Sequence, residues 1–291
     1  MIREFDTLTG PVLLFGGAYS NLPAITALLK EAARLGIPAT NIVCTGDIIA
    51  YAGDPVQTLE AVIESGMTVV KGNCEESFGN AGDDCGCGFD EGSACDVLSR
   101  QWYGFANGLL TPAHRRWMAS LPSQVRFRSG GCQIAVIHGG VADISRWIFH
   151  STAPAIKCEE IGVLEQTAPV DIVVAGHCGL PFIDNLGDHL WVNPGVIGMP
   201  ANDGTPRVWY AVLQAIPDGG VHVSLRPLSY EHDSAARRMK ALDLAAAYAD
   251  TITGGLWPNM DVLPAPERAA VGRAIRGATI SWYPGQMVAA E

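Results

Sequence analysis

The stretch from Ile42 to Cys74 limits the folds open to this chain more than any other. It reads Ile42-Val43-Cys44-Thr45-Gly46-Asp47, then a turn-rich passage through Tyr51, Asp54 and Pro55, a helical segment, and Val69-Val70-Lys71-Gly72-Asn73-Cys74. Each short apolar run stops at a glycine followed by a polar residue. That is the pattern of a buried strand that delivers one oxygen-bearing side chain to a sheet edge. Between the runs, residues 55–66 have helical spacing, with Leu59, Val62 and Ile63 on one side and Glu60 and Glu64 on the other. The unit is strand, crossover helix, strand, and it puts Asp47 and Asn73 on the same sheet edge. Open α/β sheets bind their ligands beyond the carboxyl ends of the strands. A carboxylate beside an amide oxygen there suggests a metal site, although two turn-capping residues explain the same pair.

Further along, the same grammar recurs. A buried strand over residues 11–15 ends in Gly16-Gly17-Ala18-Tyr19-Ser20-Asn21, and Pro23 suits the first turn of the helix that follows. Residues 133–137 run into His138-Gly139-Gly140, and residues 172–175 into Gly176-His177-Cys178-Gly179. Residues 190–192 lead to Asn193-Pro194-Gly195, and residues 209–213 read as another strand. Residues 124–128 alternate like a half-exposed strand, and 219–225 like an edge strand. A lone histidine at a strand end is usually a hydrogen-bonded loop residue. Two of them, with a Gly-Asp and a Gly-Asn, all at carboxyl ends, form a constellation.

Between these strands, residues 97–108, 112–120 and 155–167 read as helices. Residues 75–96 hold five glycines, the acids Asp83, Asp84, Asp90, Glu91 and Asp96 among others, and Cys85, Cys87 and Cys95, which predicts a loop-forming insert too polar to be core. Alanine-rich residues 234–251 predict one helix, broken at Gly254-Gly255-Leu256-Trp257-Pro258, with a second from near Pro266. The division expected is a domain over residues 1–233, carrying the insert at 75–96, and a C-terminal helical extension over 234–291 packed on it.

Composition narrows the function. The 291 residues are 48% apolar and 17% charged, with a net charge of -11 and 19 Lys and Arg that form no run. No nucleic-acid surface is expected from such a chain. A phosphorylated small substrate remains open, because a bound cation reverses the local field. No apolar run approaches the roughly 20 residues needed to cross a bilayer, and the N-terminal Met1-Ile2-Arg3-Glu4-Phe5-Asp6 is not a signal peptide. A cytoplasmic protein is the expectation, with most of its eight cysteines as thiols. A disulfide between Cys85 and Cys87 is not expected.

Taken in order, the signatures resemble those of the calcineurin-like metallophosphoesterase superfamily, in particular its small bacterial phosphodiesterase branch, over about residues 11–228. Asn21-Leu22-Pro23-Ala24 looks like the tail of that family's first motif. Gly46-Asp47 with Tyr51, Asp54 and Pro55 resembles the second, Gly72-Asn73 the third, His138-Gly139 the fourth and Gly176-His177 the fifth. The resemblance implies an α/β fold: a four-layer αββα sandwich of two mixed sheets flanked by helices, with a helical appendage. It also implies a two-metal site at the sheet edges and hydrolysis of a phosphomonoester or phosphodiester by a metal-activated water.

The departures matter as much as the matches. Where the family's first motif supplies an aspartate and a histidine, this chain has Gly17 and Tyr19, and where the fifth supplies a second histidine it has Gly179. All three positions serve one ion. The ligands that the resemblance assigns to the other, Asp47, Asn73, His138 and His177, remain. The expectation is one strong site for a divalent transition metal (Zn, Fe or Mn), a second ion being open, with Asp47 and Cys74 as catalytic residues and Cys74 near the leaving group. Tyr19 either ligates a ferric ion or fills the vacated volume. Cys85, Cys87 and Cys178 are further candidate ligands, and Asn21 and Arg146 candidate contacts to substrate. Two rivals stand beside hydrolysis: a non-hydrolytic sensor of a metal or phospho-ligand, and different chemistry at a cysteine-containing Zn or Fe site. Substrate identity and oligomeric state are not legible.

Overall fold

The computed structural model describes residues 1–217 and 219–285. Its strands form two six-stranded sheets. The first orders β1 (Ile2–Thr7), β5 (Gln124–Ser129), β6 (Cys132–Ile137), β7 (Ile172–Ala175), β9 (Leu190–Asn193) and β8 (Phe182–Asn185). The second orders β12 (Ala278–Trp282), β11 (Val221–Leu228), β10 (Val208–Ala215), β2 (Val12–Phe15), β3 (Ile42–Cys44) and β4 (Thr68–Val69). Both are mixed: β6, β7 and β9 run parallel, as do β2, β3 and β4, while hairpin partners such as β10 and β11 are antiparallel.

Alternation along fully buried strands explains the layering. In β2, Val12 and Leu14 face one cluster and Leu13 and Phe15 another. In β6, Ile134 and Val136 face the cluster shared with β2, whereas Ala135 and Ile137 face a third. Period-two geometry sends successive side chains to opposite faces. A strand that is apolar on both faces therefore needs cover on both, and the two sheets stack with helices outside each. α1 (Leu22–Arg34), α2 (Pro55–Ser65) and α4 (Ala94–Leu109) cover the second sheet, and α6 (Pro154–Glu165) covers the first. This is the expected αββα sandwich.

Several local expectations are corrected. The insert is neither all loop nor all polar. It contains α3 (Asn73–Gly79), and Glu75, Cys85 and Cys87 are buried. Residues 234–251 form two helices, α7 (His232–Ala241) and α8 (Ala246–Gly254), separated where Asp243 adopts φ 55°. The region after α9 (Ala265–Ala270) is not solely helical, because β12 joins the second sheet. β12 thereby takes the edge position, and β11, read as an edge, is internal. β5 is mostly buried rather than half-exposed: Val125 and Phe127 face the cluster between the sheets, and Arg126 on the other face donates to the Leu164 and Ala168 carbonyls at the end of α6.

The sheets meet where the parallel strands end. Gly16 N–H donates to the Gly195 carbonyl at 2.8 Å, and a short bridge joins Gly16 to Val196. A Cβ on Gly176 would lie 2.0 Å from the Thr45 hydroxyl, so this glycine allows the contact between sheets. Gly46 is held at φ 106°, and its Cβ would lie 2.5 Å from Gly72 N and 2.9 Å from the Val70 carbonyl. Both obstacles are backbone. We expect Gly46→Ala to lose about 3 kcal/mol or more of stability. Gly66→Ala, at φ 73° with nothing within 4 Å, is expected to lose only about 1–2 kcal/mol. Denaturant melts of the two variants check this, and equal losses would mean that the turn at Gly46 is not confined.

Candidate metal centre

Four side chains reach one point from four strand ends. β3 ends before Thr45-Gly46-Asp47, β4 before Gly72-Asn73, β6 before His138 and β7 before Gly176-His177. The two histidine loops are locked together, as the backbone N–H groups of Gly176 and His177 donate to the His138 carbonyl at 2.8 and 2.9 Å. All four residues are buried, with 2–6% of their surface exposed.

The donor geometry calls for a cation. His138 Nδ1 lies 2.7 Å from the Thr45 carbonyl, an acceptor only, which places a proton on Nδ1. Nε2 then faces inward, 2.9 Å from Asn73 Oδ1, 2.9 Å from His177 Nδ1 and 3.4 Å from Asp47 Oδ2. The Asn73 amide is oriented by its own N–H₂ group, which donates to the Cys85 carbonyl at 2.9 Å and leaves Oδ1 for the centre. Four lone-pair atoms thus crowd together, and electrostatics demands a positive charge among them. Ligands held at about 2.1 Å in a tetrahedron lie about 3.4 Å from one another. The carboxylate, amide and two imidazoles are therefore close to the spacing that a divalent ion requires.

Ionisation follows the same logic. Burial works against the charged Asp47, but the His138 ring more than offsets it and holds the carboxyl below its ordinary range. Burial opposes a charged His138 too, yet Asp47 and the Thr45 carbonyl raise it. His177 is pushed down to about 3 by burial and by His138, and stays neutral. The residue that sequence reasoning missed is Glu75. It is fully buried and accepts from Asp47 N and Ile48 N, both at 2.7 Å, and from Gly72 N at 2.9 Å. Burial and Asp47 push its pKa up to about 7. Its signal was present: Glu75 stands three residues after Gly72 at the start of a helix, where a carboxylate reaches back to the cap.

Other expected site residues lie elsewhere. Cys74 donates its backbone N–H to Asp47 Oδ1 at 3.1 Å, but its thiol is buried, pushed upward in pKa and absent from the wall of the adjoining cleft. Asn21 is fully buried and caps α1, accepting from Ala24 N and donating to the Gly198 carbonyl and Tyr230 hydroxyl. Arg146 pairs with Glu160 at 2.5 Å. Tyr19 sits with its ring over Gly17, where a Cβ would be 2.3 Å from the ring, so it fills the space beside that glycine. Cys178 lines the cleft and accepts from Asn193 at 3.1 Å. Against expectation, Cys85 and Cys87 are joined as a disulfide. Gly86, at φ 63°, folds the chain back and brings the two Cα atoms to 5.3 Å, within reach of such a bond.

Comparison with known proteins adds independent findings. Residues 20–215 match the model of the calcineurin-like phosphoesterase superfamily domain. An uncharacterized protein of Methanocaldococcus jannaschii is 21% identical over 217 residues, which is 69% of this chain and 82% of that one. A solved metallophosphoesterase of Sphaerobacter thermophilus has a TM-score of 0.64 at 20% identity, covering 86% of this chain and 100% of its own. A hypothetical protein of Pyrococcus horikoshii gives 0.68 at 17% identity, over 88% and 100%. At such identities the solved structures bear on fold. Among the described residues, no helix is long and apolar enough to cross a membrane.

Two outcomes are expected at this centre. Glu75→Ala leaves three buried N–H groups without a partner, at about 1–3 kcal/mol each, and is expected to weaken metal binding about 10–100-fold, as loss of an outer support does. Glu75→Gln, which keeps one oxygen, should fall between. The second outcome concerns pH. His138 is raised above its ordinary 6.5, so its contribution to the metal-free protein is complete below that value and lost as pH rises through the folded pKa. Glu75, raised from 4.5 to about 7, also makes the metal-free protein less stable as pH rises across that interval. An ion takes the place of the proton on His138 Nε2 and relieves both effects. Melting with and without Zn²⁺ between pH 6 and 9 should show a gap that widens with pH; a constant gap would contradict proton displacement.

Proposed function

We propose, from the premise that this chain belongs to the calcineurin-like phosphoesterase superfamily, that it hydrolyses phosphoesters with a single divalent ion held by Asp47, Asn73, His138 and His177. The convergence of four ligand-type atoms, with His138 Nε2 at 2.9–3.4 Å from the other three, carries this reading. The opposite half of the family's centre is closed by chemistry and by space. Gly17 and Gly179 have no donor atoms, and the Tyr19 ring occupies the volume an aspartate at position 17 would need.

When bound, the ion supplies Lewis acidity toward a phosphoryl oxygen and toward an attacking water. The chain's own groups set the charge and direction of that chemistry. Asp47 contributes the only anionic ligand, and Asn73 and the two neutral imidazoles add none, so one net positive charge faces the substrate. The Thr45 carbonyl fixes the His138 tautomer, and the Asp47 turn is fixed by Glu75. Cys74 lies beneath Asp47 rather than in the cleft, and the proposal gives it no contact with the leaving group. Imidazole with carboxylate suits zinc, iron or manganese. The reading of a soft cysteine centre loses its support, because the sulfurs of Cys85 and Cys87 are bonded to each other.

Elemental analysis of protein dialysed against Zn²⁺ or Mn²⁺ is expected to give about one ion per chain, and Asp47→Ala to abolish tight binding. Two tightly held ions in the unaltered protein would sink the single-ion reading. Turnover of bis(4-nitrophenyl) phosphate is expected to be slow. Gly17→Asp alone should not improve it, because the new side chain meets the Tyr19 ring. Gly17→Asp with Tyr19→His should raise both metal content and rate. Position 179 is a poorer place for restoration: its φ of 74° disfavours any side chain.

A further inference from the structure

An open cleft lies directly beside Asp47 and His177. Among the described residues that line it there is no lysine or arginine, and Asp47 is the one carboxylate. Six are aromatic: Tyr19, Tyr51, Phe89, Trp147, Tyr248 and Trp257. They come from five separate parts of the chain, namely the two loops of the second sheet's edge, the insert, the loop after β6, and the region around and after α8. The metal edge and the aromatic wall are continuous, since the Trp147 ring stands 4.3 Å from the His177 ring.

We infer that this cleft binds the organic part of the substrate, and that the substrate is a singly charged phosphodiester carrying an uncharged aromatic group. The inference rests on the single-ion phosphoesterase reading above and names its substrate class. Charge decides the first half. One divalent ion with Asp47 leaves one positive charge, which balances a phosphodiester monoanion. A phosphomonoester dianion or a polyphosphate would bring further charge into a cleft without a cationic side chain, and unpaired charge is costly to bury. Sites built for several phosphates present arginine forks or lysines.

Shape and surface decide the second half. Clefts lined by aromatic side chains with few polar groups are ordinary sites for compact apolar ligands, and aromatic rings pack edge-to-face or offset against one another. The wall is preorganised rather than loose. Trp257 donates through Nε1 to the Pro200 carbonyl at 2.8 Å and through its backbone N–H to Asn202 at 2.8 Å. Tyr51 packs against Tyr19, Trp102 and Tyr248 with ring centroids 4.8–5.1 Å apart. The cleft also occupies the ground of the missing second ion. The Tyr19 ring covers Gly17, and the edge of Trp257 lies 3.8 Å from where a Cβ on Gly179 would be. Ligand positions on that side have become walls of an apolar pocket.

Calorimetry on the Zn²⁺-loaded full chain tests the inference without requiring turnover. Diphenyl phosphate is expected to bind at least tenfold more tightly than dimethyl phosphate, with pyrophosphate and phenyl phosphate weaker than diphenyl phosphate. Trp257→Ala should remove most of that preference while metal stoichiometry stays unchanged, and Trp257→Phe, which keeps a ring, should retain part of it. The aromatic rings also offer a cage for a quaternary ammonium. Tighter binding of phenyl phosphorylcholine than of diphenyl phosphate would overturn the inference in favour of a cationic group. Equal binding of diphenyl and dimethyl phosphate, or a preference untouched by both Trp257 variants, would overturn it outright. Absence of hydrolysis with Trp257-dependent binding of diphenyl phosphate would count against the catalytic reading and leave the pocket assignment standing. Hydrolysis without discrimination would do the reverse.

Discussion

The centre depends on one buried carboxylate that is not itself a ligand. Glu75 gathers the backbone N–H groups of Asp47, Ile48 and Gly72 and so ties the loop after β3 to the loop after β4. Asp47 sits at φ 61°, a region that costs a non-glycine residue energy and persists only where its surroundings hold it. The clasp has its own cost, because Glu75 and Asp47 are two carboxylates in a nearly dry place, and each opposes ionisation of the other. A positive charge among Asp47, Asn73, His138 and His177 removes that conflict. A proton on His138 does so partially and a divalent ion does so more fully. Scaffold and centre are thus coupled: the loops that shape the site are held by a group whose ionisation the site's own cation favours.

Glycines set the geometry in which that coupling works. Gly176 lets Thr45 approach from the other sheet, and the Thr45 carbonyl then fixes His138 across the seam. Gly46 makes the tight turn that swings Asp47 inward over Gly72. None of these glycines touches the metal position. Each removes a Cβ where two backbones must pass, which is why the polar residue worth noticing comes directly after a glycine in Gly46-Asp47, Gly72-Asn73 and Gly176-His177.

That local rule made the side chains that converge at the sheet edge legible from the chain alone. A short apolar strand that stops at a glycine and a donor residue leaves its mark within six or seven residues; Asp47, Asn73 and His177 carry it, and His138 carries the reverse order, with Gly139 after it. What was misread depends on partners distant in sequence. Asn21 resembles a substrate contact until Gly198 and Tyr230 are seen to use its amide. Arg146 resembles a phosphate anchor until Glu160 takes it. The insert reads as solvent-exposed because its acids and glycines are conspicuous, whereas Cys85 and Cys87 are buried by packing against Asn73 and by a hydrogen bond from Ser145 to the Gly86 carbonyl. β12 has too little apolar content to announce itself, and it exists because β11 offers an unpaired edge.

Position 17 and position 19 are best understood as one unit. The Tyr19 ring can lie where it does only because residue 17 lacks a side chain, and glycine at 17 would leave a void if residue 19 were small. The exchange has an electrostatic consequence beyond the loss of two donors. Two divalent ions bring four positive charges, and Asp47 would be the only anionic ligand to meet them. A buried excess of three charges is not sustainable at ordinary desolvation costs. On the single-ion reading proposed above, charge as well as space disfavours a second ion, and an apolar ring, which needs neither counter-ion nor hydration, is a stable occupant of the volume that remains.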